Sequence, residues 1–189
     1  AFVMIDADGK VIAMVGGVSF KRNQYNIVAQ GHRQPGSAFK PFVYSTGLET
    51  GDLKEHQSLP NQPVKFPNGN GTNYEPKNSN HKYSGPVPIK TAIQWSINIP
   101  AVNAIKEVGP SRVVDYAHDK FGFTSKLEPY LSLALGASAV SPLEMAQGYS
   151  VFMLMGDRAT PYGITKIVGP DGMVVKAYKP NIVRGCISA

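Results

Sequence analysis

Arg33-Gln34-Pro35-Gly36-Ser37-Ala38-Phe39-Lys40-Pro41-Phe42 sets a serine hydroxyl and a lysine ammonium three residues apart, directly after a Pro-Gly break. On a helix that begins at the serine, positions i and i+3 share one face, so the two side chains can touch. Pro41 limits where that helix starts, because proline is tolerated in a first turn and breaks an interior. The spacing predicts a helix over 37–50 with Ser37 at the positive end of its dipole. Phe39, Val43 and Leu48 fall near one face of it, and Gly51 is its stop. A serine hydroxyl is a weak nucleophile until an adjacent base takes its proton. A desolvated lysine with a lowered pKa can do so. S-x-x-K alone is common on solvated helix faces, so its reading depends on what surrounds it.

Working outward, residues 1–17 read as a hairpin, with Phe2 and Met4 answering Val11, Ala13 and Val15 around the turn Asp6-Ala7-Asp8-Gly9. Residues 18–36 are polar and loop-like. From Pro60 to Pro88 the chain is rich in Pro, Asn and Gly, the mark of a long irregular excursion, and such loops often bind ligands or act as lids. Residues 89–106 read as a helix broken by Pro100, with Ser96 and Asn98 just ahead of the break. Two more helices are expected over 110–120 and 141–155, each with proline in its first turn. Residues 164–178 return to strand-turn-strand around Gly169-Pro170-Asp171-Gly172. Strands at both ends with helices between them point to an α+β layered domain.

A chain of 189 residues fits one domain. Hydrophobic residues make up 42% and charged residues 17%, which is ordinary for a globular protein. No run of about 18 apolar residues is present, and no signal-peptide pattern is visible. The single cysteine, Cys186, cannot form an internal disulfide and reads as an ordinary thiol. Net charge is +6, from 19 Lys and Arg against 13 Asp and Glu, which suits an anionic neighbouring surface. The basic residues are scattered and form no nucleic-acid stripe, so no nucleic-acid partner is expected. His32, His56, His81 and His118 lack metal-ligand spacing; no metal and no cofactor are expected.

Downstream of the serine-lysine pair lies Ser96-Ile97-Asn98, inside Gln94-Trp95-Ser96-Ile97-Asn98-Ile99-Pro100. S-x-x-K followed by S-x-N gives two of the three elements shared by penicillin-binding proteins and class A β-lactamases. Other blocks occur in order: Ala1-Phe2-Val3-Met4-Ile5-Asp6 with Gly9 to Gly17, Tyr25-Asn26, Tyr74-Glu75-Pro76-Lys77-Asn78, Tyr83-Ser84-Gly85-Pro86-Val87, Leu133-Ala134-Leu135-Gly136-Ala137, and Val140-Ser141-Pro142-Leu143-Glu144-Met145-Ala146. Together they resemble the transpeptidase domain of class A, bifunctional penicillin-binding proteins almost end to end.

The resemblance implies an antiparallel sheet flanked by helices plus a helical lobe, with catalytic groups at their junction. It implies a D,D-transpeptidase. Ser37 is the expected nucleophile on the D-Ala-D-Ala end of a peptidoglycan stem peptide, Lys40 its base, and Ser96 a proton relay to the departing amine. Asn98 is expected to bind the donor peptide and steady Lys40. β-Lactams are expected to acylate Ser37 as covalent inhibitors. The implied setting is the periplasmic or extracytoplasmic face of a bacterial membrane, reached through a segment outside this chain. The third element, Lys-Thr-Gly or Lys-Ser-Gly, is missing: Lys90-Thr91 is followed by Ala92 and precedes Ser96. Residues 1–189 are therefore read as a partial transpeptidase domain lacking its C-terminal strands, with a glycosyltransferase domain expected upstream and activity alone expected to be slight. The deacylating glutamate of class A β-lactamases is not matched, since Ser132 stands where asparagine should follow Glu128. A carboxypeptidase, a β-lactamase and a non-catalytic penicillin sensor or scaffold are the competing readings.

Overall fold

In the computed structural model, which describes residues 1–67 and 71–189, β1 (Phe2–Ile5) and β2 (Val11–Val15) pair antiparallel from Phe2↔Val15 inward. Asp6 turns the hairpin: its Oδ1 accepts from the backbone N–H groups of Asp8 (3.0 Å) and Lys10 (2.8 Å), an Asx-type turn. The stretch expected to be loop contains α1 (Ile27–Gln30), one turn started by Asn26, whose side chain accepts from Val28 N. A 3-10 turn, Gly36–Phe39, runs into α2 (Lys40–Thr50), which ends where Gly51 takes a left-handed φ of 76°.

The excursion from Pro60 to Pro88 is pinned by short strands. β3 (Ser58–Leu59), β4 (Phe66–Pro67), β5 (Asn73–Tyr74) and β6 (Val87–Pro88) pair as β3 with β6 and β4 with β5. Then come α3 (Ile89–Gln94), α4 (Asn98–Val108) and α5 (Pro110–Asp119), followed by a 3-10 turn over Leu131–Leu135. The last segment holds α6 (Pro142–Met153), β7 (Arg158–Ala159), β8 (Lys166–Val168), β9 (Val174–Ala177) and β10 (Ile182–Val183). β7 pairs with β10 and β8 with β9. Every strand pair described is antiparallel, so helices and antiparallel strands combine as an α+β class requires.

Backbone contacts divide the chain into two units. One comprises Gln34–Tyr116 and Lys126–Ala139; the other comprises Ala1–Arg33, Ala117–Ser125 and Val140–Ala189. In the first, α2 packs on α4, and α4 packs on the 131–135 turn. Phe39, Phe42 and Val43 are buried, as are Ile99, Val102, Ile105 and Leu133. Leu48 does not join them: it is exposed, while Thr46 and Gly47 are buried in its place. The inward arc of α2 is carried by 42, 43, 46 and 47, the i, i+1, i+4, i+5 spacing of a 3.6-residue period.

In the second unit, α6 packs on β1 and α1. Its start is a capping box in which Ser141 Oγ accepts from Glu144 N and the Glu144 carboxylate accepts from Ser141 N. The same carboxylate accepts from the backbone and hydroxyls of Thr124 and Ser125 at 2.6–2.9 Å. Burial pushes the Glu144 pKa up, but the hydrogen bonds from Ser125, Ser141 and Thr124 outweigh it and bring it down to about 2. Glu144 is thus a buried carboxylate that stays charged.

Candidate active site

Ser37 lies in the 3-10 turn, not at the first residue of an α-helix. An α-helix from Ser37 would need the N–H of residue 41 to bond the Ser37 carbonyl, and Pro41 has none. The Lys40 N–H takes that carbonyl instead, which tightens the turn to three residues. Positions i and i+3 stack in a 3-10 turn, which puts the Ser37 backbone one turn from Lys40. Ser37 is exposed, whereas Phe39 between them is fully buried and anchors the turn.

The Lys40 side chain goes inward, and the residue is 3% exposed. Its Nζ donates to Ser96 O (2.5 Å), Asn98 Oδ1 (2.7 Å) and Ser96 Oγ (3.1 Å). Three donors thus meet three acceptors, all from one short segment. No carboxylate is among them. Burial lowers the Lys40 pKa from the ordinary 10.5 to about 8, because desolvation penalises the charged form.

The segment that meets Lys40 is shaped by a helix end. Pro100 does not break it; it sits in the first turn of α4, where proline is accommodated. The break falls earlier, over residues 95–97. Ile97 N bonds Ala92 O (2.9 Å) and Ser96 N bonds Ile93 O (3.0 Å), the pattern of a Schellman closure for α3. Ser96 therefore occupies the left-handed position, with φ 50°, where glycine is usual. A serine there costs on the order of 1 kcal/mol, and the placement presents both its carbonyl and its hydroxyl to Lys40. Asn98 follows with two bonds: it accepts from Lys40 and donates to Lys77 O (2.8 Å).

Lys40, Ser96 and Asn98 are thus joined directly, with Ser37 one tight turn from Lys40. A cavity of about 450 Å³ opens beside Ser96, lined by Asn78, Lys82, Tyr83, Trp95, Ser96 and Asn98 among others. Trp95 is 72% exposed at this cavity, so it is a lining residue. Tyr74 is not near it; it stacks on Phe66 and lines a different hollow. Glu128 pairs with Lys126.

Two supports of the site are not legible in the sequence. Gly136, at φ 67°, brings its backbone against the turn that carries Ser37: a Cβ there would stand 2.3 Å from Gly36 O and 2.5 Å from Gly36 N. Gln34 Nε2 bonds Ala137 O (2.8 Å) and ties the same two strands of chain together. The other is the pair Asn61 and Asn78, both 3% exposed in the excursion before α3. Nothing in the apolar sequence Leu133–Ala137 says which backbone it meets. Among the described residues, no group of three or more metal-ligating side chains is found.

The description of a known family, the penicillin binding protein transpeptidase domain, matches residues 1–188. Penicillin-binding protein 1A of Neisseria cinerea is 38% identical over 187 residues, covering 95% of this chain and 23% of that protein. The crystal structure of penicillin-binding protein 1A from Haemophilus influenzae superposes with a TM-score of 0.87 at 34% identity, covering 96% of this chain and 27% of the other. A penicillin-binding protein of Mycobacterium tuberculosis shares the fold at TM-score 0.85 and 23% identity, over 98% of this chain and 51% of its own. The chain spans about a quarter of the length of the curated relatives it matches. With Ser96 and Asn98 of the S-x-N segment gathered on Lys40, these matches establish that the chain belongs to the transpeptidase domain family of penicillin-binding proteins.

Proposed function

We propose that this domain is a serine D,D-transpeptidase of peptidoglycan crosslinking. The observation that carries the reading is the buried Lys40, held by Ser96 and Asn98, with a pKa brought down by burial to about 8. In the ammonium form all three N–H groups are donated. In the neutral form the amine has a lone pair, and one contact must reverse or break. Ser96 O and Asn98 Oδ1 have no proton to give, so the 3.1 Å contact with Ser96 Oγ is the one that can change direction. This supports reading Lys40 as a base and Ser96 as a relay, the Lys40–Ser96 hydrogen bond being already in place.

The chemistry follows. Neutral Lys40 takes the Ser37 proton while Oγ bonds to the carbonyl carbon between the terminal D-alanines of a stem peptide. The C–N bond breaks, Ser96 passes the proton on to the departing D-alanine nitrogen, and an ester on Ser37 remains. An amine from a second stem peptide then attacks that ester and gives its proton to Lys40. Ser37 leaves, recovers a proton, and the crosslink is made. The Ser37 N–H supplies one oxyanion donor; the Lys-Thr-Gly element that the family uses nearby is not in this sequence. A β-lactam is opened by the same attack and stays as the Ser37 ester. The domain works at the outer face of the bacterial cytoplasmic membrane, with the anchor and a glycosyltransferase domain assigned to sequence outside these 189 residues. Among the described residues, no helix is long and apolar enough to cross a membrane.

The test is crosslinking by the intact protein of donor and acceptor stem peptides. Crosslinked dimer and free D-alanine are expected, and both vanish with Ser37→Ala. Dimer formation that survives Ser37→Ala contradicts the assignment; a stable penicillin adduct with no dimer in any condition favours a sensor.

A further inference from the structure

Two buried asparagines of the irregular excursion, Asn61 and Asn78, with the exposed Lys82 and Ser84, form a hydrogen-bonded network beside the S-x-N segment. Asn78 Oδ1 accepts from Ile99 N (3.0 Å), one of the first-turn N–H groups of α4 that has no partner within the helix. Asn78 Nδ2 donates to Asn61 Oδ1 (2.7 Å) and to Lys82 O (2.8 Å). Asn61 Nδ2 in turn donates to Ser84 Oγ (3.1 Å). Every hydrogen-bonding direction of the Asn78 amide except one oxygen lone pair is therefore used, and its orientation is fixed.

The partners are arranged reciprocally. Asn98 donates to the backbone carbonyl of Lys77, next to Asn78, and Asn78 accepts from the backbone N–H of Ile99, next to Asn98. Each asparagine thus grips the main chain beside the other. We infer that this clasp, with Asn78 as its key and Asn61 as the residue that orients it, positions Asn98 and Ser96 on Lys40 and keeps water away from the lysine. Asn78 touches neither Ser37 nor Lys40 and acts through the α4 start, so it is a positioning residue. The inference rests on the proposed reading of Ser37 and Lys40 as nucleophile and base.

Breaking the clasp lets the first turn of α4 fray, since a buried helix N-terminus without a cap must find water. Asn98 then loses its fixed aim and Lys40 gains solvent. No ionisable group on the elements around Lys40 enters its titration. Tyr44 and Glu49 lie on α2, Lys106 and Glu107 on α4, and Lys77, Lys82 and Tyr83 on the excursion. Lys106 lies over the Phe66 ring and Glu107 is taken by Gln57. The single cause of the Lys40 shift is burial, so hydration is the variable that the clasp controls.

The experiment is the rate of Ser37 acylation by a fluorescent penicillin as a function of pH, in the intact protein and its Asn78→Ala and Asn61→Ala variants. For Asn78→Ala the expected result is a rate lower by about tenfold, as for other misplacements of a reacting group. Its pH midpoint moves up from about 8 toward the ordinary lysine value. Asn61→Ala leaves the Ile99 cap available and shifts both quantities the same way, by less. If Asn78→Ala does not fold, the Asn61→Ala midpoint decides. Variants with the unmodified midpoint, whether or not the rate falls, overturn the inference, because a role in stability alone reduces folded protein without retuning Lys40. Absence of any Ser37 adduct in the unmodified protein instead overturns the nucleophile assignment itself.

Discussion

Lys40 and Glu144 are two buried ionisable residues in the first turns of two helices, and the protein treats them in opposite ways. Glu144, at the start of α6, is surrounded by donors: Ser141, Thr124 and Ser125 supply N–H and O–H groups to both oxygens. Its charge is therefore locked in, down to about pH 2. Lys40, at the start of α2, meets three neutral acceptors and no carboxylate. Its charge is tolerated but not compensated, and its pKa sits at about 8. Hydrogen bonds that outweigh burial make a structural ion. Burial that outweighs hydrogen bonds makes a group ready to exchange a proton, which is what a base beside a serine requires.

The pH signs separate the two. Lys40 titrates lower in the folded state than the ordinary 10.5, so the unfolded chain binds more protons between about pH 8 and 10.5 and stability rises through that window. Below it the buried ammonium costs about 3 kcal/mol. Glu144 is depressed from 4.5 to about 2, so its contribution is complete above pH 4.5 and is lost as pH falls toward 2.

The contrast breaks most visibly at the lysine. Lys40→Met is expected to slow penicillin acylation by about 10²–10⁴-fold while the thermal midpoint at neutral pH holds or rises; a large drop in midpoint would make Lys40 a structural ion after all. Glu144→Ala should do the reverse. Chemical denaturation is expected to show a loss of about 3 kcal/mol, with the pH midpoint of acylation by folded protein unchanged. Ser96→Gly sharpens the comparison from the other side: it relieves the left-handed φ but removes the hydroxyl proposed as the relay. Stability should hold while acylation falls by about a hundredfold, and a variant as fast as the parent would remove Ser96 from the mechanism. Gly136→Ala has the smallest expected effect, on the order of tenfold in acylation rate, as the Gly36-Ser37 turn gives way to the added methyl. An equal rate would mean that the turn can absorb it.

The elements marked by backbone chemistry were legible in the sequence. The Asp6–Gly9 turn, the Gly51 stop, the Pro110 and Ser141-Pro142 helix starts and the hairpin over 164–178 all stand as expected. Prolines misled where their effect depends on the partner they remove. Pro41 converted the start of α2 into a 3-10 turn, and Pro100 sits inside the first turn of α4 where a break in a helix over 89–106 is expected from sequence. Ser37, Lys40, Ser96 and Asn98 could be singled out because their types and spacing carry chemistry. Asn61 and Asn78 could not, since asparagine in a Pro/Asn/Gly-rich stretch looks like turn material until its burial is known. Gly136 was hidden for the same reason: a close backbone approach leaves no trace in one sequence.

The central claim is that Lys40 is a desolvated base serving Ser37, and its most direct test is intact-mass kinetics of penicillin acylation across pH. One adduct per chain is expected, absent in Ser37→Ala, with a rate that rises through a midpoint of about pH 8. An adduct that persists in Ser37→Ala, or a rate whose midpoint lies at the ordinary lysine value of 10.5, would contradict it.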